Sequence, residues 1–169
     1  MKLLKIIKTQ DICSGQGKKE TSSNYLQREV VRAVVFDEER NVGLIHVGTL
    51  NFHQLPGGGI ETGESKEEAL RREIIEELGC KIEILSEIGQ IDEYRDYKST
   101  LQQNYCYICR VIGKKGKPSP TEGELKYGCD LLWLPINEAV KQLQNDQPIK
   151  IAGQFSNKRD LLLLQEALL

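Results

Sequence analysis

The run Gly58-Gly59-Ile60-Glu61-Thr62-Gly63-Glu64-Ser65-Lys66-Glu67-Glu68-Ala69-Leu70-Arg71-Arg72-Glu73-Ile74-Ile75-Glu76-Glu77-Leu78-Gly79-Cys80 decides the fold. Pro56 and Gly57 precede it, so the chain enters through a turn with one fixed backbone angle followed by permissive ones. A second turn at Gly63 leads into a helix. Ser65 is placed as its N-cap, and Glu68, three residues on, completes a capping box. Ala69, Leu70, Ile74 and Leu78 recur at helical spacing and form a buried stripe, with Ile75 at its edge. Gly79 closes the helix as a C-cap residue.

Glu73, Glu76 and Glu77 stand at i, i+3 and i+4, which gathers three carboxylates on one helix surface. Like charges at that spacing repel unless something neutralises them. Two chemistries would do so. Arg71, Arg72 and Lys81 can make a solvated, salt-bridged face, or the carboxylates can serve as hard oxygen ligands for a divalent cation. The glycine turn and Glu64 ahead of the helix favour the cation, because carboxylates beside an ordered loop can present a metal-bound phosphate to water.

The same residues resemble the Nudix box of the Nudix hydrolase family. Gly58 opens the pattern, Glu64 follows, and Arg72-Glu73-Ile74 runs through Ile75 to Glu76-Glu77-Leu78-Gly79. Cys80 fills the last apolar place and is the one soft match. The resemblance implies an α/β fold, a Nudix-type α/β/α sandwich with a mixed curved sheet, extending over Arg28 to Val140. It implies metal-dependent hydrolysis of a pyrophosphate bond by water attack on phosphorus, with Mg2+ or Mn2+ held by Glu73, Glu76 and Glu77. Gly58 and Gly59 would admit substrate and metal close to the backbone. Arg72 would orient the carboxylates, and Glu64 would steady the loop or a metal-bound water. A later acid often joins the box in the family, and Glu122 and Glu124 are similar in placement. Trp133 to Val140 resembles the family's strand-to-helix transition.

Outward from the box, 169 residues suffice for one compact catalytic domain. A formal net charge of -2 carries no basic footprint for a nucleic acid polymer. Five cysteines give an odd count and no disulfide framework. Cys106 and Cys109 would point to opposite faces of a strand rather than share a zinc ion. The opening residues lack the apolar run of a secretory signal, and no stretch reaches the length of a membrane span. The expectation is a reduced, cytoplasmic enzyme, with a flexible lead-in around residues 13–24.

Leu3 to Thr9 is expected as an edge strand. Val30 to Phe36 and Val42 to Val47 form a hairpin, Lys81 to Glu93 and Gln103 to Ile112 supply further strands, and Leu131 to Pro135 a buried one. Asn137 and Ser156 are placed to cap two late helices. The run Leu161 to Leu164 suits core or homodimer packing. Gly113 to Pro120 is expected as a solvated basic hairpin loop, and Asp92 to Tyr97 as a charged aromatic connector.

Several side chains can meet a nucleotide-like substrate. Arg32 can reach phosphate or lie exposed on the sheet. His53 precedes the glycine turn, with local hydrogen bonding as its other role. Tyr94 or Tyr97 can cover a base and Arg95 can meet phosphate, against simple packing of the connector. Within the resemblance, the small size points first to a nucleoside triphosphate. ADP-ribose hydrolases of the family often carry a proline beyond the box, where this chain has Arg95 and no proline between Cys80 and Lys117. Tyr97 lies close to a position associated with dinucleoside polyphosphates. A non-catalytic binding module on the same fold is the competing class, and it would be expected to lose box acids that this chain keeps.

Overall fold

The computed structural model describes residues 1–12 and 24–168, with the side chain of Glu124 excepted. The expected lead-in therefore lies, but for Asn24, outside the described residues. In chain order the elements are β1 (Leu3–Lys8), α1 (Thr9–Ile12), β2 (Leu26–Phe36), β3 (Asn41–Val47), β4 (Phe52–Gln54), α2 (Lys66–Leu78), β5 (Lys81–Arg95), β6 (Thr100–Ile112), α3 (Glu122–Tyr127), β7 (Cys129–Pro135), α4 (Ile136–Asn145) and α5 (Ile151–Glu166).

The strands form one mixed sheet in the order β1-β5-β6-β2-β3-β4, with β7 on the other edge of β3. β1 runs parallel to β5, and β2 runs parallel to β6 from Leu26↔Thr100 to Phe36↔Arg110. β5 and β6 form the long antiparallel pair. The hairpin from β2 to β3 keeps a single register pair, Phe36↔Val42. Since β7 follows β3 from Asn41 to Val47, β2 and β4 must share the opposite edge. The sheet therefore bends open where β3 leaves β2, and the glycine turn sits in that opening.

Alternation along β2 sorts the core. Val31, Ala33 and Val35 face α2 and pack with Ala69, Leu70, Ile74, Leu78, Tyr105, Tyr107 and Cys109. Val34 faces the other way, with Leu55, Ile91, Cys106, Ala139, Leu143, Phe155, Leu163 and Leu164 beneath α4 and α5. Helices on both faces of a mixed sheet make the expected α/β/α sandwich. Cys106 and Cys109 are free thiols in opposite layers, as strand parity requires.

Four local expectations are corrected. The connector Asp92 to Tyr97 is strand as far as Arg95, because β5 keeps pairing with β6 to Arg95↔Thr100. β7 is only half-buried, since it pairs with β3 alone and forms the sheet margin. Asn137 and Ser156 do not cap their helices. α4 starts at Ile136 after Pro135, and α5 starts at Ile151, leaving Ser156 buried within it. Residues 113–120 are no hairpin loop: they cross the C-terminal turn of α2, where Gly116 N–H donates to Gly79 O (2.7 Å) and Ser119 N–H to Glu76 O (2.7 Å). Helix-end carbonyls that would otherwise face solvent are satisfied by this strap.

Candidate active site

Local sequence builds α2 as expected. The Ser65 hydroxyl accepts from Glu68 N–H at 3.2 Å, and the Glu68 carboxylate accepts from Ser65 N–H at 2.9 Å. Gly79 ends the helix with φ of 66°. The preceding turn is laced to β2: Val31 N–H donates to Gly58 O (2.9 Å), Ala33 N–H to Pro56 O (3.1 Å) and Ile60 N–H to Glu29 O (3.2 Å). Gly57 has φ of +131°, and a Cβ there would lie 2.1 Å from the Val31 carbonyl oxygen. At Gly58 a Cβ would lie 2.4 Å from the Glu73 carboxylate, while Gly59 opens on empty space. The two glycines serve different ends: Gly57 lets the turn lie against β2, and Gly58 clears room for a carboxylate.

Arg72 is the hub of the acidic face. Its Nε and NH2 grip both oxygens of Glu64 (2.7 and 3.0 Å), NH1 reaches Glu73 Oε1 (2.7 Å) and Glu76 Oε2 (3.5 Å), and NH2 also donates to Gly59 O (3.0 Å). The Arg72 hydrogen bonds hold the Glu64 carboxyl down at about 2. Burial raises Glu73 above the usual carboxylate range despite Arg72 beside it. Glu77 Oε2 accepts from Gly57 N–H at 2.6 Å. The carboxylates are thus oriented one by one, and among the described residues no three His, Cys, Asp or Glu side chains form a ready-made metal cluster. The donor set is nonetheless all carboxylate oxygen, which suits Mg2+ or Mn2+, and the missing Cβ of Gly58 lets the Glu73 carboxylate lie against the turn.

Beyond the acids, a small cleft is lined by Glu76, Glu77, Ile45, Asp130, Pro118 and Pro120 among others. Asp130 was not singled out by sequence; only a register pairing that sets β7 against β3 brings it there. Glu122 opens α3 and is exposed, and the Glu124 side chain lies outside the described residues.

Most of the expected substrate contacts are placed elsewhere. Arg32 is buried, not exposed: its NH1 donates to Leu55 O (3.2 Å) and to Gly57 O, and burial pushes its guanidinium down to about 10. His53 is held by Asp146 through both its backbone N–H (2.7 Å) and Nδ1 (2.8 Å), and stacks on His46. Arg95 is buried against Glu93, with Nε to Oε2 at 2.8 Å. Tyr97 packs near Phe155 under α5, on the face away from α2. Tyr94 stays half-buried, edge-on to Tyr25. Strand parity puts Arg32 and Arg95, with Glu93, on the α5 face of the sheet.

The family model of the NUDIX domain matches residues 26–152. The chain belongs to the NUDIX family. Its match to a putative mutator protein MutT4 of Mycobacterium tuberculosis is 32% identical over 91 residues, 53% of this chain and 35% of that protein. An RNA pyrophosphohydrolase of Sulfurovum is 47% identical over 51 residues, 30% of this chain and 32% of that protein. The matched stretches thus span about a third of these curated relatives. The solution structure of the E. coli ORF135 protein has a TM-score of 0.58 at 18% identity, covering 89% of this chain and 94% of that one, and so shares the fold. In this NUDIX domain every charged position of the box is retained and engaged with the glycine turn or with Arg72.

Proposed function

We propose that this NUDIX domain hydrolyses a pyrophosphate bond in a nucleoside triphosphate, or in a related nucleoside diphosphate derivative, with Mg2+ or Mn2+. The observation that carries this is the joint between turn and helix: Gly57 N–H on Glu77, and Gly58 yielding its side-chain space to Glu73. Carboxylates fixed against a backbone turn form a preorganised face for a metal-bound phosphate. A degenerate binding module would have no reason to keep that arrangement.

Glu73, Glu76 and Glu77 would hold the ion, which when bound would neutralise phosphate oxygens and favour attack by water. Arg72 keeps Glu64 and Glu73 in place, so the acids enter the reaction without reorganising. Water forms a bond to phosphorus as the bridging P–O bond breaks, and the released proton needs an acceptor at the cleft. Asp130 lines that cleft with Glu76 and Glu77 and offers a carboxylate to accept that proton, with the exposed Glu122 as the alternative.

The choice of a triphosphate is tested by product analysis on ATP, 8-oxo-dGTP, ADP-ribose, diadenosine tetraphosphate and a triphosphate-ended RNA oligonucleotide, the last because one relative is named for RNA. The expected result is metal-dependent turnover with a free triphosphate preferred. Preference for ADP-ribose or the dinucleotide overturns that choice. Nucleotide binding without turnover across the panel overturns the enzyme itself.

A further inference from the structure

A buried polar group lies on the face of the sheet opposite α2, directly behind the glycine turn. Arg159 and Asp160 of α5 are fully buried there, together with Glu93, Asn104 and Gln102, and Arg32 from β2. Asp160 Oδ2 accepts from Leu55 N–H at 2.9 Å. Arg159 fixes Asp160 with Nε to Oδ1 at 2.7 Å and NH2 to Oδ2 at 3.0 Å, and reaches Glu93 at 3.2 Å.

Arg32 behaves differently from Arg159. A buried arginine kept for packing is expected to take a carboxylate, as Arg159 does. Arg32 instead places NH1 on the carbonyls of Leu55 and Gly57, while its Nε has no hydrogen-bond partner. Leu55 is therefore held at its N–H by Asp160 and at its C=O by Arg32. Gly57 is held at its C=O by Arg32 and at its N–H by Glu77. The turn is gripped from behind the sheet, and on its other side it grips a box carboxylate.

We propose that Arg32 and Asp160 are positioning residues for Glu77, acting from the far face of the sheet through the Leu55–Gly57 turn. This rests on the hydrolase assignment above, in which Glu77 is a metal ligand. Loosening either residue shifts Gly57 N–H and with it the carboxylate, without touching substrate. Turnover then falls while substrate binding holds, because misplacement of a reacting group affects the transition state most.

Arg32→Lys tests it, since lysine keeps the charge but its ammonium ends one bond short of NH1, the nitrogen that serves both carbonyls. Leu143→Ala is the control: it weakens the same layer of core, which includes Leu55, without removing a hydrogen bond of the turn or of the acids. For Arg32→Lys we expect kcat to fall about a hundredfold with KM little changed. Mn2+ affinity, read by titration without substrate, weakens by about tenfold. The Gly57 amide loses hydrogen-exchange protection. Leu143→Ala, compared at equal folded fraction, keeps kcat, Mn2+ affinity and Gly57 protection. If Arg32→Lys does not fold, Asp160→Asn decides, since a neutral amide oxygen holds Leu55 N–H more weakly than the carboxylate and its NH2 cannot accept from Arg159 Nε; about a tenfold fall in kcat and a weaker Mn2+ affinity are expected. Unchanged kcat and Mn2+ affinity in the folded variant, or losses matched by Leu143→Ala, overturn the inference alone. Absence of metal-dependent turnover in the wild type overturns the hydrolase assignment and this inference with it.

Discussion

Glu77 and Gly58 show what one side chain, or its absence, contributes here. Glu77→Gln keeps an oxygen for Gly57 N–H, so the fold should persist while a negative ligand is lost. Catalytic rate should fall by about two to four orders of magnitude, roughly 3–5 kcal/mol of transition-state stabilisation. Glu83→Gln is the matched control, because Glu83 pairs with exposed Arg110 at the surface, and equal losses in the two variants would rule out the role given to Glu77. Gly57→Ala should cost stability, about 3 kcal/mol, since its Cβ meets backbone that cannot move aside at a positive φ. Thermal unfolding would measure it, and a loss below about 1 kcal/mol would show that the turn can relax. Glu64 supplies a pH signature. Its folded-state carboxyl is held at about 2 by Arg72 against an ordinary value of 4.5. A depressed folded pKa contributes stability that is present above the unfolded value and lost as pH falls through the folded one. Wild type should therefore exceed Glu64→Gln in melting temperature near neutral pH, and the gap should close between about pH 4.5 and about 2. A gap that stays constant over that window would mean that the ion pair does not contribute.

α2 was legible in the sequence almost residue by residue, because its capping box, stripe and C-cap are encoded within a few positions of where they act. Ser65→Ala should cost about 1 kcal/mol by removing one half of the reciprocal cap, checked by urea unfolding; no change would mean that packing of Ala69 and Leu70 alone fixes the helix start. Most strands and their parity were legible as well, for the same reason of short period, but the three-residue β4 was not. What was not legible depends on partners distant in sequence. The strap at 113–120 looks like any glycine- and lysine-rich loop until its amides meet Glu76 and Gly79. Ser156 carries a good capping side chain, but α5 begins earlier, with Gly153 packed against the Phe52 ring. Arg32 gave one real signal, a charge inside an apolar strand, and that signal pointed to an exposed site ahead of a substrate contact. Its true partners, two carbonyls in a turn more than twenty residues on, have no pattern of their own. Asp130 likewise reaches the cleft only through the pairing of β7 with β3.

The layers of the molecule divide its chemistry. α2 and the box lie on one face of the sheet, and the charged group of α5 lies on the other, with β2 buried between them and contributing to both. Burial makes the two kinds of ion pair unequal. Arg159 is fully buried with Glu93 and Asp160, whereas Arg110 and Glu83 remain 59% and 47% exposed. Charges at the surface gain little from pairing, because water already solvates them. Charges in the interior have lost that solvation, so removing one partner strands the other. Arg159→Met would leave Asp160 and one contact of Glu93 without their cation, although methionine fills much of the same volume. Arg95 remains on Glu93, so the stranded charge centres on Asp160, the residue that holds Leu55 N–H. We expect Arg159→Met to cost about 3–5 kcal/mol in urea unfolding, against less than about 1 kcal/mol for Arg110→Met. Equal costs for the two variants would show that this interior group is stabilised by packing rather than by its charges.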